Sequence, residues 1–293
     1  MEPERKLRAS PPLNFPGGGG VNVSRVIKVL GGMSIAVFTA GWATGQLLRD
    51  LIDQHGLLTR VVPIHSRTRV SATAFETSTG QEYRITPPGP EMTEAEWRAC
   101  LDAVFEFEAE YIVATGSLPR GVPEDFYARV AHGAKKRGSR VILDCDGEPF
   151  HQALGEGVYM VKPNLRELSE LTGTAGAGGS DAELHAMTQK LIGIGRTEVV
   201  VVSLGGDGAF LDTGAGTVRL RTPKVAVKSA VGAGDSFVGG MTVGLARGMP
   251  IESAFAVGVA AGTATVLTAG SELCRRADVE RLYHDLTGSV LAL

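Results

Sequence analysis

Apolar residues recur at helical spacing over 45–55, where Leu47, Leu48, Leu51 and Ile52 share one face, and again over 126–136 and 181–194. Between such segments lie short runs of consecutive apolar residues at 35–39, 111–114, 141–144, 159–162 and 198–203. Runs of that length, bounded by Gly, Pro or Ser, read as strands buried on both faces. The alternation from residue 35 onward predicts a parallel sheet with helices on both sides. Residues 70–83 break the rhythm. They alternate in places and carry a Ser-Thr-Gly turn at 78–80, which predicts an exposed hairpin acting as a small lid.

Further helices are expected over 21–30, 93–110, 164–172, 234–246, 253–267 and 279–286, and an antiparallel pair at 209–212 and 218–221. Thr93 and Glu96 have the spacing of a capping box. The uncharged run 253–271 is long enough to span a bilayer, but Ala, Gly and Thr dominate it, which favours a buried core helix.

With 293 residues and no solenoid period or long polar linker, one α/β domain with a β lid is preferred over two equal domains. Lys and Arg total 29 against 32 Asp and Glu, so no basic field calls for nucleic acid. Cys100, Cys145 and Cys274 are far apart and form no zinc motif; their odd number fits a reducing cytoplasm. The charged N-terminus has no apolar core of a signal peptide. The composition departs from the average mainly in glycine, with 39 residues against a usual ~7%. The glycines cluster, and four clusters are candidates for chemistry.

In the segment Ser229-Ala-Val-Gly-Ala-Gly-Asp235, Gly232 to Gly234 lead into a helix whose free N–H groups can receive an anion. Asp235, in the first turn, is placed to accept a proton from a hydroxyl attacking a phosphoryl group. It is equally a residue favoured at helix starts. In Pro16-Gly-Gly-Gly-Gly20-Val-Asn22, glycines again precede a helix, and Asn22 can bond a sugar hydroxyl; a flexible linker before an ordinary helix has the same pattern. No Gly-Lys-Ser/Thr ending marks a Walker motif. In Lys162-Pro-Asn164-Leu-Arg-Glu167, Asn164 and Glu167 share a helix face and could hold water ligands of Mg²⁺, although a plain capping arrangement explains them as well. The run Ser203-Leu-Gly205-Gly-Asp-Gly208 suits either a nucleotide border or a hairpin turn. All four lie at strand exits or helix entries, which line one edge of an open α/β sheet.

Together and in this order the segments resemble the PfkB-type, ribokinase-like carbohydrate kinases over nearly the whole chain. The runs at 16–32 and 231–248 carry the likeness, and 115–123, 161–168 and 201–209 agree. The resemblance implies a ribokinase-like three-layer α/β/α sandwich with a mostly parallel central sheet. The small β-sheet lid would comprise about 64–90 plus parts of the N-terminal segment. It implies ATP and Mg²⁺ as cofactors and a sugar phosphate as substrate. The unbroken Gly17–Gly20 favours fructose-6-phosphate, because kinases of fructose-1-phosphate and tagatose-6-phosphate usually carry a lysine in this run. Those two activities remain the alternatives within the class.

Residue by residue, the resemblance implies Asp235 as general base and the N–H groups of Gly232, Ala233 and Gly234 as anion hole. Asn164 and Glu167 would organise Mg²⁺, Lys162 would contact ATP phosphates, and Ser203, Gly205 and Gly208 would border the nucleotide. Gly18, Gly19, Asn22 and Ser117 would bind the sugar, and Lys6 and Arg69 its phosphate. Ser229 and Val231 resemble a monovalent cation loop for K⁺, but Thr268 and Glu272 stand where a relative has Asn and Arg. A homodimer through the lid is a further implication. Relatives begin with roughly twenty more residues that form a strand carrying a sugar-binding Asp. A chain without that strand would expose a sheet edge or leave a gap. A binding protein without turnover is therefore the reading from another class.

Overall fold

The computed structural model describes residues 9–174, 179–193 and 196–292. The predicted phosphate contact Lys6 and most of the glycine loop at 173–179 lie outside them. The chain enters through helix α1 (Gly19–Val29), strand β1 (Ile35–Ala40), α2 (Trp42–Gln54), β2 (Leu58–Pro63) and the hairpin β3 (Ala72–Glu76) and β4 (Gln81–Ile85). It continues through α3 (Glu94–Val104), β5 (Tyr111–Thr115), α4 (Phe126–Arg137), β6 (Arg140–Asp144), α5 (Gly147–Glu156), β7 (Val158–Val161), α6 (Leu165–Thr172) and α7 (Asp181–Ile192). The last part is β8 (Thr197–Ser203), a 3-10 turn (Gly205–Asp207), β9 (Ala209–Asp212), β10 (Thr217–Leu220), α8 (Ala233–Ala246), α9 (Ile251–Thr265) and α10 (Arg276–Thr287).

Six strands form one sheet in the order β10-β9-β8-β7-β6-β5, parallel from β5 to β8 and antiparallel through β9 and β10. The mostly parallel sheet is the one that the resemblance implies. Strands β1 and β2 are parallel but pair only with each other. Among the described residues no strand pairs with the second edge of β1 or of β5, and both strands line one cavity. The expected lid is the antiparallel ribbon β3–β4, held in register from Ala72 opposite Ile85 to Glu76 opposite Gln81.

Each face of the main sheet buries its own core, which gives three layers. On one face α1, α8, α9 and α10 cover Ile142, Met160, Val199 and Val201 through residues such as Val26, Phe237, Met241, Phe255 and Leu282. On the other, α4 to α7 cover Leu143, Val161, Val200 and Val202 through Val130, Phe150, Leu168 and Leu184. Successive strand residues therefore point into opposite cores. Helices α8 and α9 cross at glycine: a Cβ on Gly240 would meet Ala261 Cβ at 2.8 Å and the Val257 carbonyl at 2.9 Å. The uncharged run at 253–271 is this buried α9 and the turn after it. Among the described residues no helix is long and apolar enough to cross a membrane.

Three details differ from the expectation. Helix α3 stops at Val104, well short of 110. Glu106, Glu108 and Glu110 follow, and negative charge at a helix C-terminus opposes the helix dipole. Strand β2 and helix α5 were not expected. Strand β2 is an edge with one buried residue, Val62, and Arg60 at its centre. Helix α5 contains Pro149 and Gly155, which argue against a helix, yet Pro149 sits in the first turn, where its missing N–H costs nothing. Phe150, Ala153 and Leu154 form its buried stripe.

Candidate active site

Helices α1 and α8 both start at glycines with no side-chain cap. Gly18 has φ 108° and Gly232 has φ 76°, a left-handed backbone that other residues adopt only with strain. The Ala233 N–H donates to the Ala230 carbonyl at 3.4 Å, and the helices themselves offer no carbonyl to the other first-turn N–H groups. The two helix starts meet at Asp235. Asn22 Nδ2 donates to Asp235 Oδ2 at 2.9 Å. A Cβ on Gly19 would lie 2.7 Å from Thr115 Oγ1 and 3.3 Å from Asp235 Oδ1, so only a glycine leaves this space open. The first two glycine clusters, 213 residues apart at Asn22 and Asp235, are thus one site.

Burial pushes the Asp235 carboxyl above the usual aspartate range. The hydrogen bond from Asn22 and the charge of Lys162 pull it back, and Asp144 pushes it further up. Burial outweighs the helix dipole that would favour the anion. A buried carboxylate with a raised proton affinity and one oxygen free of protein donors can accept a proton from a bound hydroxyl.

Lys162 lies on the other side of the α8 start. A Cβ on Gly234 would be 3.6 Å from Lys162 Nζ. The lysine is buried and pairs with Asp144 at the carboxyl end of β6, Nζ to Oδ1 3.0 Å. The N–H groups at Gly232 to Gly234 and this ammonium, itself paired with Asp144, are donors of the kind that suit a phosphate.

Asn164 and Glu167 form a complete capping box at α6. The Asn164 N–H donates to Glu167 Oε2 at 2.9 Å, the Glu167 N–H donates to Asn164 Oδ1 at 2.9 Å, and Asn164 Nδ2 donates to Glu167 Oε1. The capping role is therefore real. It leaves lone pairs on both carboxylate oxygens. Burial first, and then the charges of Asp144, Asp146 and Glu167, raise the proton affinity of Cys145. The lone pairs left on Glu167 suit an Mg²⁺ that keeps its waters, while no direct cluster of three metal-binding side chains occurs among the described residues. The Ser203 N–H donates to the Pro163 carbonyl at 3.1 Å, which ties the β8 exit to this box. Gly205 and Gly208 have φ 59° and 97°, and a Cβ on Gly208 would run into the Leu220 carbonyl. This segment is a tight β8–β9 turn, with Gly208 required by packing.

Gly18, Gly19, Asn22, Arg69, Ser117 and Val231 all line a single cavity of 2410 Å³, well above the few hundred Å³ of an ordinary ligand pocket. It is this large because the cleft runs into the space between β1 and β5. Arg69 is exposed at the lid entry, whose backbone is clamped to α2: the Gly41 N–H donates to Thr68 Oγ1 at 3.0 Å, and Thr44 Oγ1 donates to the Thr68 carbonyl at 2.7 Å. Trp42, with φ 61°, donates from its indole to the His65 carbonyl and lies under Arg67. Ser229 is buried and accepts from the Val231 N–H at 3.3 Å, and the Lys228 N–H donates to the Val266 carbonyl at 2.8 Å. Thr268 Oγ1 donates to the carbonyls of Thr265 and Glu272, so the loop is built from carbonyls and hydroxyls, a donor set that fits a monovalent cation.

A sequence profile of the pfkB family carbohydrate kinases matches residues 2–278. This chain belongs to that family. Among pfkB relatives, an ATP-dependent 6-phosphofructokinase isozyme 2 of Mycobacterium tuberculosis is 42% identical, covering 97% of this chain and 83% of the relative. The corresponding Escherichia coli isozyme is 38% identical over 96% of this chain and 91% of its own length. A 1-phosphofructokinase of Bacillus subtilis is 34% identical over 89% and 84%. The crystal structure of phosphofructokinase-2 from Escherichia coli with fructose-6-phosphate superposes with a TM-score of 0.91 at 36% identity, covering 98% of this chain and 93% of that one. A pfkB kinase of this kind is an ATP-dependent carbohydrate kinase.

Thr115, Asp144 and Arg25 belong to the site and carried no expectation. Asp144 had a signal, since it ends an expected strand at the edge where ligands bind. Thr115 had the same signal, at the end of the strand expected over 111–114, and Arg25 had none.

Proposed function

We propose that this pfkB kinase phosphorylates fructose-6-phosphate to fructose-1,6-bisphosphate with ATP. The observation that supports it best is Asp235 at the meeting point of two bare helix starts, with Lys162 on the opposite side. The sugar lies over Gly18, Gly19, Asn22 and Ser117, with Arg69 and Lys6 on its phosphate. Asp235 takes the proton of the attacking hydroxyl as its oxygen bonds the γ-phosphorus and the bond to ADP breaks. The N–H groups of Gly232, Ala233 and Gly234 receive the charge of the moving phosphoryl group, and Lys162 holds the ATP phosphates. Ser203, Gly205 and Gly208 border the nucleotide. Mg²⁺, organised through water by Asn164 and Glu167, neutralises phosphate charge when bound.

The remaining features extend the same reading. One kinase domain spans residues 1–293, with a lid of about 64–90. K⁺ binds near Ser229 and Val231. Two chains pair through the exposed β3–β4 ribbon, and the enzyme works in the cytoplasm, where its free thiols stay reduced.

ATP consumption is measured against fructose-6-phosphate, fructose-1-phosphate, tagatose-6-phosphate, ribose and adenosine. Fructose-6-phosphate is expected to give the highest kcat/KM. A preference for fructose-1-phosphate would move the protein to the activity named for the Bacillus relative. ATP binding without turnover on any of the five would leave a binding protein.

A further inference from the structure

Asp235 has two oxygens, and the fold commits one of them. Oδ2 accepts from Asn22 Nδ2, while Oδ1 lies toward Gly19 and Thr115 and accepts no hydrogen bond from the described residues. That division depends on which way the Asn22 amide faces. Turned over, its oxygen would meet the carboxylate. Arg25, one helical turn further along α1, is buried with 6% exposure, and its Nη1 donates to Asn22 Oδ1 at 3.1 Å and to the Pro16 carbonyl at 3.2 Å. A guanidinium has donors only. It therefore accepts no other amide orientation. An inverted Asn22 would set N–H against N–H on one side and oxygen against oxygen on the other. Beside a buried guanidinium and a carboxylate both contacts are costly.

We infer that Arg25 is a positioning residue that fixes the polarity of the Asn22 amide and thereby reserves Asp235 Oδ1 for the substrate hydroxyl. The same nitrogen anchors the chain where it enters the glycine run, so one buried cation sets both the base and the floor beneath the sugar. This rests on the kinase reading for its catalytic meaning, while the hydrogen-bond relay stands on geometry alone. The titratable groups that bear on the relay are Asp144 and Lys162 on the Asp235 side and Glu272, His55 and the Cys274 thiol, which burial keeps neutral, on the Arg25 side. The Asn22 hydrogen bond opposes the burial that raises the proton affinity of Asp235. Releasing it makes the carboxyl harder to ionise.

The test is the pH profile of kcat with fructose-6-phosphate for wild type, Arg25→Met, Arg25→Lys, Asn22→Leu and the double variant Arg25→Met/Asn22→Leu. Arg25→Met should displace the acid limb about one pH unit upward, which lowers kcat by about tenfold at a pH below the wild-type midpoint. Arg25→Lys, still a pure donor, should recover most of it. The double variant should match Asn22→Leu alone, because Arg25 acts through Asn22. A native acid limb in Arg25→Met, or additive shifts in the double variant, would overturn the inference. If Arg25→Met does not fold, Asn22→Leu with native Arg25 must show the upward limb, and an unmoved limb overturns it equally. If the wild type turns over no sugar at all, the kinase reading fails. The relay is then read directly from the ¹³C-detected titration of the Asp235 carboxyl, which must move up in Asn22→Leu and Arg25→Met.

Discussion

Among the described helices seven have no side-chain cap, but only α1 and α8 start at a glycine with positive φ, and they contrast with three starts that are boxed. Helices α3, α6 and α7 begin with Thr93, Asn164 and Ser180, each in a complete capping box with a Glu three residues on. Helices α1 and α8 begin with Gly18 and Gly232 and no side-chain cap. The first kind satisfies its own N–H groups and needs nothing further. The second kind leaves them open, in a left-handed conformation that selects glycine, and both examples converge on Asp235. Open helix starts cost stability unless something binds there, so their pairing at one point marks a ligand site more sharply than either glycine run does alone. Helix α6 is the intermediate case: boxed, yet with lone pairs left on the Glu167 carboxylate.

Asp235→Asn is the strongest challenge to the open pair. It should lower kcat by about 10²–10⁴-fold. Burial raises the pKa of Asp235 in the fold, so stability falls as pH rises from the ordinary aspartate pKa toward the raised one. At neutral pH the neutral Asn should therefore leave the melting temperature unchanged or higher. A kcat near native removes the base, and a large drop in melting temperature makes Asp235 a structural residue.

Gly232→Ser converts an open start into a closed one. It forces a left-handed serine and puts Cβ 2.5 Å from Leu273 Cδ2. The expected cost is about 1–3 kcal/mol in denaturant titration, with kcat down at least about tenfold from loss of one oriented donor. Native kcat in a folded Gly232→Ser would remove the anion hole. Glu167→Gln separates the two roles of α6, because Gln still completes a capping box. Melting should hardly change while the Mg²⁺ concentration needed for half-maximal rate rises severalfold; an unchanged Mg²⁺ requirement leaves only the cap. Ser180→Ala is the smallest step. Losing a plain cap should cost about 1 kcal/mol with kinetics unaltered, and altered kinetics would blur the distinction between the two kinds of start.

Much of the architecture was legible because it follows from local pattern. The buried strands at 111–114, 141–144 and 198–203 and the lid hairpin were marked by period and punctuation. Strand β2 escaped because it is an edge with one buried residue. Helix α5 escaped because Pro149 and Gly155 oppose a helix by propensity and only packing of Phe150 and Leu154 overrides them. Within the site, Asp235, Asn22 and Lys162 were found through glycine clusters and family likeness. Arg25 was not, since an arginine inside an amphipathic helix looks like a solvated charge until its burial is known.

Sequence alone determined most of the order of strands and helices, apart from β2 and α5, together with the glycine-led helix starts and the family likeness, because these depend on residues near each other in the chain. Tertiary structure decided what those residues face. It brought Asn22 to Asp235 across 213 positions, set Lys162 against Asp144, and separated β1–β2 from the six-stranded sheet. It also turned Arg25 inward. Local pattern reports which conformations each segment prefers. Desolvation and the orientation of donors and acceptors arise only when distant segments close around the same few atoms.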